Sequence, residues 1–257
     1  MWRIRAALLA AVAVSVVACG SDSTPAGGGG STGVTGTITV FAAASLTETF
    51  TALGKQFESR HAGTTVRFSF AGSGTLAQQI TNGAPADVLA TASKSTMDTV
   101  VKAGDVTAPT TFATNVLTIA VPPDNPGRVA GLADLAKPGL KVELCAEEQP
   151  CGSAAATVLD KARLTVKPVS LGQDVKAVLT AVRTGEVDAG LVYVTDSRSA
   201  GSAVLNIAIP ADQNVSTAYP IGTVKDSRNA ATAQAFVDFV LGPTGTSALA
   251  SAGFSTP

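Results

Sequence analysis

Short β-prone runs alternate with helical segments through most of this chain, and that alternation constrains its fold more than any other feature. A β-prone run at 38–42 precedes a segment at 46–60 whose apolar residues recur at helical spacing. An alternating run at 65–70 and a helical segment at 75–81 repeat the pattern. Strands that alternate with helices form largely parallel sheets with helices on their faces. The sequence therefore predicts an α/β fold.

A second set of strands and helices follows the two prolines at positions 122 and 123. Two such sets in a chain of 257 residues predict two lobes with a ligand cleft between them, built on mixed, mainly parallel sheets. We expect 37–118 together with 222–257 to form lobe I, and 119–221 to form lobe II. Ligands of open α/β sheets bind beyond the carboxyl ends of strands, near helix N-termini.

Composition removes several classes of function. Only 14% of the residues are charged and the formal net charge is -1, which argues against a nucleic-acid partner. The single histidine, His61, and three cysteines supply too few ligands for a zinc finger or an HExxH metal site. One histidine also makes Ser-His-Asp or Cys-His catalysis a poor fit. We expect a binding protein for a small molecule, not an enzyme, with no cofactor and no directly ligated metal.

The N-terminal residues predict an export signal. Residues 1–18 combine two arginines with an apolar run too short to span a bilayer. They lead to VVAC at 16–19, which resembles the lipobox of bacterial lipoproteins and implies lipidation of Cys19; the alternative is a plain secretory signal with a chance cysteine. Residues 19–36 are a glycine-rich, flexible linker, and the folded part is expected to begin near Thr37. The expected location is extracytoplasmic, anchored to the cell membrane through lipid.

Cys145 and Cys151 remain as a closely spaced pair in an oxidising compartment. The prediction is one disulfide between them. The alternative, a catalytic or metal-binding thiol pair, lacks a nearby histidine.

Four strand–helix turns share one chemistry. Ser45 and Ser73 stand at two predicted helix starts, Cys151 opens a third turn, and Asp174 precedes the helix that begins at Val175. These turns contain no lysine, arginine or histidine, so they offer hydroxyls, backbone N–H groups and the positive ends of helix dipoles. Each turn alone could be a simple helix cap. The four together favour a cleft that binds an anion.

Several further segments follow one another along residues 37–257: FAAASLT at 41–47, FAGSGTLA at 70–77, GAPAD at 83–87, QDV at 173–175, GLVY at 190–193 and YPI at 219–221. Together and in this order they resemble bacterial periplasmic molybdate-binding proteins. The resemblance implies the type II periplasmic-binding-protein fold and a molybdate or tungstate ligand. It also implies a membrane permease of an ABC transporter as partner, and we expect the binding protein to be a monomer.

The resemblance also implies the residues that hold the oxyanion. They are Ser45, Ser73 and Tyr193 through their hydroxyls, and Cys151 and Val175 through their backbone N–H groups. Two features depart from the family: Gly72 and Gly74 flank Ser73 where serines are common, and Cys151 replaces a small residue without a thiol. Neither departure removes a backbone donor.

A cleft lined by donors favours a fully deprotonated dianion. Monohydrogen phosphate would need an acceptor for its proton, whereas sulfate differs from molybdate only in size. Binding of another oxyanion such as sulfate is one alternative. A serine hydrolase using Ser73 is another, although Ala71 and Thr75 occupy the glycine positions of a GxSxG elbow.

Three further polar residues near these motifs receive structural roles. Asp174 is expected to cap its helix, with an acceptor role toward the anion as the alternative. Tyr219 is expected in the crossover between lobes and not as a ligand, and Asp87 is expected to be structural.

Overall fold

The structure, a computed structural model, describes residues 33–257. The predicted signal peptide, Cys19 and most of the predicted linker lie outside the described residues. The packed chain begins slightly before the predicted Thr37, because Val34 contacts the core and the N–H of Thr35 donates to Thr232 Oγ1 at 3.1 Å.

The described residues form nine strands and eight α-helices. The strands are β1 (Gly36–Ala43), β2 (Thr64–Ala71), β3 (Val88–Ala90), β4 (Thr110–Val121), β5 (Val142–Cys145), β6 (Ser170–Gly172), β7 (Ala189–Tyr193), β8 (Leu205–Ala208) and β9 (Ser216–Thr223). The helices are α1 (Thr47–Arg60), α2 (Ser73–Thr81), α3 (Lys94–Ala103), α4 (Pro150–Lys161), α5 (Val175–Arg183), α6 (Val194–Ala200), α7 (Ala230–Leu241) and α8 (Pro243–Ala252). A 3₁₀ turn, Ala44–Leu46, joins β1 to α1. None of the helices in the described part is long and apolar enough to cross a membrane.

The strands are ordered β2-β1-β3-β9-β4-β7-β5-β6, with β8 paired to β4. Strand pairs β1–β2, β1–β3, β5–β6 and β5–β7 are parallel, whereas β3–β9, β4–β7, β4–β8 and β4–β9 are antiparallel. The predicted α/β class with a mixed sheet is confirmed, but parallel pairs do not predominate among the described strands.

Strand β4 changes partners along its length. Its first part, 110–116, pairs with β9, and its second part, 117–121, pairs with β7 and β8. The two sets of strands therefore meet on β4. The lobe boundaries themselves stay a prediction.

The predicted helical spacing in α1 is confirmed by burial. Phe50, Leu53 and Phe57 are fully buried, and the Phe50 and Phe57 rings pack edge-on against Phe236 of α7 with centroids 6.2 and 5.4 Å away. Burial of each such side chain contributes roughly 1.5–3 kcal/mol. This packing fixes α1, and with it the turn that carries Ser45.

Two helices begin earlier than predicted, and the difference bears on the site. The sequence predicts helices at 75–81 and 153–162, whereas α2 starts at Ser73 and α4 starts at Pro150. The first turns of these helices contain glycine, serine and proline, which are typical of loops. Proline is nevertheless well accommodated at the first position of a helix. The backbone donors of these turns are therefore helix N-termini.

Candidate anion-binding site

The five residues expected to hold an oxyanion line one small cavity. Ser45, Ser73, Cys151, Val175 and Tyr193 all face it, together with Ala43, Ala44, Ala71, Gly72, Ala92, Pro150 and Asp174. The volume of this cavity is ≈ 10 Å³. Pockets for drug-sized ligands are roughly 300–1,000 Å³, so this cavity has no room for an organic ligand of that size.

Neither serine caps its helix, so the capping explanation is wrong for both. Ser45 lies in the 3₁₀ turn after β1, Ser73 is the first residue of α2, and neither helix start has a side-chain cap from its own N-cap residue. Ser73 Oγ instead accepts the N–H of Ala92 at 3.0 Å. Because this bond uses an acceptor site of the oxygen, the hydroxyl hydrogen of Ser73 stays free to donate into the cavity.

Two helix N-termini supply backbone donors. Cys151 is the second residue of α4 and Val175 the first of α5. The first N–H groups of a helix have no intrahelical acceptor, and the helix dipole makes this end favourable for an anion. Both N–H groups are therefore available to a ligand.

Asp174 caps α5, as predicted. Its Oδ1 accepts from the N–H groups of Lys176 and Ala177 at 2.8 and 3.0 Å. This oxygen is thereby committed to the second and third residues of the helix. The N–H of Val175 is left to the cavity.

Tyr193 ends β7, and its side chain is 1% exposed. Its hydroxyl makes no well-directed hydrogen bond within the described residues, with Thr217 and Tyr219 as its polar neighbours, and Tyr193 is one of the residues that line the cavity. Burial raises the pKa of this hydroxyl well above its usual range, so it stays protonated and can donate. An unmet buried donor costs about 1–3 kcal/mol, which a bound anion would recover.

Tyr219 supports the site in a way that the sequence did not predict. Its ring is fully buried in β9, and its hydroxyl lies 2.9 Å from Ser45 Oγ and 3.5 Å from Asn115 Nδ2. The amide nitrogen of Asn115 can only donate, so the Tyr219 hydroxyl accepts from it, and the hydrogen of that hydroxyl can be donated onward to Ser45 Oγ. The hydrogen of Ser45 is then directed away from Tyr219. Tyr219 is a positioning residue for Ser45.

We expect Tyr219→Phe to weaken oxyanion binding about fivefold, because Ser45 loses the bond that orients it. The phenylalanine keeps the ring contacts with Phe112 and Phe254, so the unfolding temperature without ligand should change little. Isothermal titration with molybdate measures the affinity. In a Ser45→Ala background the same change should have no further effect, and an equal loss in both backgrounds would contradict the coupling.

No lysine, arginine or histidine lines the cavity among the described residues. Lys176 lies next to the α5 N-terminus, but two carboxylates away from the cavity pair with its charge. Its Nζ lies 2.8 Å from Glu48 Oε2 and 2.9 Å from Oδ1 of the buried Asp196. The contact with Asp196 is an ion pair without the geometry of a directed hydrogen bond. Burial raises the pKa of Asp196 to about 6, with Lys176 opposing the shift. The polar groups around the cavity are therefore dipoles and not cations.

The described residues also contain no cluster of three histidine, cysteine, aspartate or glutamate side chains placed to hold a metal ion.

A family model described as a bacterial extracellular solute-binding protein matches residues 38–255. The chain belongs to this family. Its members are transport components, and this solute-binding protein is accordingly extracytoplasmic.

One relative and two solved structures are similar to this solute-binding protein. It is 41% identical to the molybdate-binding protein ModA of Mycobacterium tuberculosis over 249 residues, 96% of this chain and 95% of that one. The periplasmic molybdate-binding protein of Azotobacter vinelandii shares the fold, with a TM-score of 0.76, 21% identity, and coverage of 86% of this chain and 99% of that chain. The sulfate-binding protein SubI of Mycobacterium tuberculosis also shares it, with a TM-score of 0.74, 21% identity and 86% coverage of each chain.

The predicted disulfide of this solute-binding protein is confirmed. Cys145 and Cys151 are bonded, with their Cα atoms 5.7 Å apart. The bond ties the end of β5 to the first turn of α4, which presents the Cys151 N–H. A covalent link at this point pre-organises one of the expected donors.

Reduction of this disulfide should weaken oxyanion binding about tenfold while the protein stays folded, because the Cys151 turn becomes free to move. The effect on affinity should exceed the effect on overall stability. Titration with molybdate before and after reduction, with free thiols counted, measures it, and Cys145→Ser/Cys151→Ser is the matched variant. Unchanged affinity after verified reduction would contradict this role.

Proposed function

We propose that this solute-binding protein captures molybdate in the cavity and delivers it to the permease of an ABC transporter. One observation carries the proposal: Ser45, Ser73 and Tyr193, which have hydroxyls, and Cys151 and Val175, which have free helix N-terminal N–H groups, line one small cavity. The relationship to molybdate-binding proteins over nearly the whole chain supports the same ligand.

The chemistry of the cavity favours a dianion without a proton. Every polar group assigned to the ligand donates, and the N-termini of α2, α4 and α5 add favourable dipoles. Asp174 is the carboxylate that lines the cavity, and its Oδ1 is already engaged by two N–H groups of α5. Tungstate satisfies the same donors, so we include it as a ligand.

Sulfate must be rejected by size, because it has the same charge and no proton. Sulfate is the appropriate competitor in a binding experiment, because this protein shares its fold with a sulfate-binding protein. A smaller tetrahedral anion cannot reach all five donors at once, and each unmet buried donor costs about 1–3 kcal/mol.

Capture requires the two sets of elements to close on the anion. Ser45 and Ser73 belong to the strands and helices around β1 and β2, whereas Cys151, Val175 and Tyr193 belong to those around β5 and β7. An anion that touches both sets stabilises the closed arrangement by its differential affinity. We place the hinge where β4 changes partners.

We also propose that the protein is a monomer. Lipid attached to Cys19 would hold it at the membrane.

Thermal unfolding with equal concentrations of molybdate, tungstate, sulfate and phosphate tests this function. A ligand at 100 times its dissociation constant adds about 2.7 kcal/mol to the free energy of unfolding. We expect large shifts with molybdate and tungstate and small ones with sulfate and phosphate. A shift with sulfate alone would keep the site and change the ligand, and no shift with any of the four would overturn the proposal.

A further inference from the structure

We propose that Gln149 is a clasp across the ligand cleft, which holds the first turn of α2 against the loop before α4 when the cavity is closed. This inference rests on the proposed function, which requires these two parts of the chain to approach one another around the anion. It assigns a positioning role to a residue outside the five donors.

The contacts of Gln149 join distant parts of the chain. The residue directly precedes α4 and is 4% exposed. Its Oε1 accepts the N–H of Gly74 at 3.0 Å, and its Nε2 donates to Thr75 Oγ1 at 3.1 Å. A single side chain therefore uses both of its polar atoms on the first turn of α2.

Helix α2 has no side-chain cap from its own N-cap residue, because that residue is Gly72. Helix α5 is capped by its own N-cap residue, since Asp174 accepts from the N–H groups of Lys176 and Ala177. Helix α2 is instead capped by Gln149, which lies in the loop before α4. The N–H of Gly74 therefore returns to water whenever the two parts separate, and closure itself supplies this helix cap.

Gly72 and Gly74, the two departures from the family around Ser73, are explained by this approach. A Cβ on Gly72 would lie 2.2 Å from Gln149 Oε1, and one on Gly74 would lie 2.5 Å from the carbonyl oxygen of Glu148. Neither glycine has a positive φ, so backbone conformation does not require them. A side chain at either position would keep the loop before α4 away from α2.

The first test compares wild type with Gln149→Ala by stopped-flow fluorescence, using molybdate. We expect dissociation to be about tenfold faster, because two hydrogen bonds specific to the closed state are lost. The association rate and the unfolding temperature without ligand should stay as in wild type. Gln79→Ala, an exposed glutamine on the same helix, is the matched control and should leave dissociation unchanged.

Gly74→Ala provides an independent test, because it should lower the molybdate affinity without lowering the unfolding temperature of the ligand-free protein. Alanine favours the helix, so the unfolding temperature without ligand should equal or exceed that of wild type. The added Cβ obstructs closure, so molybdate affinity should fall about tenfold or more. Gly131→Ala, where a Cβ would meet nothing within 4 Å, should change neither quantity.

The outcomes separate the clasp from the function on which it rests. If wild type binds molybdate but Gln149→Ala dissociates at the wild-type rate, the clasp is wrong and the proposed function stands. If Gln149→Ala lowers the unfolding temperature equally with and without ligand and leaves the dissociation rate unchanged, Gln149 is a structural residue. This result would also overturn the clasp. If wild type binds no oxyanion, both proposals fail.

Discussion

The double variant Ser45→Ala/Ser73→Ala is expected to bind molybdate about a thousandfold more weakly than wild type. Ser73 Oγ accepts the Ala92 N–H, which leaves its own hydrogen for the anion, and Ser45 Oγ lies 2.9 Å from the Tyr219 hydroxyl, whose hydrogen it can accept. A hydrogen bond to a charged partner contributes about 1.5–3 kcal/mol, so two together account for three orders of magnitude. Isothermal titration measures the loss, with each single variant expected to show part of it.

The control for this experiment separates binding from folding. Ser73→Ala also leaves the Ala92 N–H without its acceptor, which should lower stability by about 1–3 kcal/mol. Titration is therefore done well below the unfolding temperature of each variant. Ser59→Ala/Ser251→Ala removes two exposed hydroxyls that bond only to carbonyls of their own helices, and it should bind as wild type. Full affinity in the Ser45/Ser73 double variant would refute the site assignment.

Val175→Pro is expected to reduce molybdate affinity about 10- to 150-fold by removing one backbone donor. Proline is accepted at the first position of a helix, where its missing N–H has no intrahelical role. Asp174 before it has φ -159 and ψ 175, an extended conformation compatible with a following proline. The helix and its cap should therefore persist while the N–H that faces the cavity is lost.

Val175→Ala is the matched variant, because it truncates the buried side chain and keeps the N–H. Its molybdate affinity should stay near that of wild type, although its stability should fall. Lys94→Pro, at the first position of α3, tests whether proline in that position is tolerated elsewhere in the fold. Equal affinity of Val175→Pro and Val175→Ala would show that the backbone donor does not contact the anion.

The fold could be predicted where local pattern and burial agree. The sequence pattern predicts helices at 94–103 and 230–241, and α3 and α7 have these bounds, because the signals that define them are local. Helix α6 and strand β6 were missed: α6 has no apolar repeat, and β6 is three residues long with Leu171 58% exposed. These elements are determined by tertiary contacts that a local pattern does not contain.

The same contrast holds for the candidate site. Motif resemblance nominated the five donors, and the structure brings all five to one cavity. Tyr219 and Gln149 were not nominated, because their importance lies in partners 174 and 75 positions away in sequence. Only the fold shows that Tyr219 orients Ser45 and that Gln149 reaches α2.

A crystal structure with tungstate tests the central claim most directly, because tungsten scatters anomalously and identifies its own position. We expect one strong anomalous peak in the cavity, with its oxygens within hydrogen-bond distance of the Ser45, Ser73 and Tyr193 hydroxyls and the Cys151 and Val175 N–H groups. A peak at another site, or tungstate bound in solution with no peak in this cavity, would contradict the assignment.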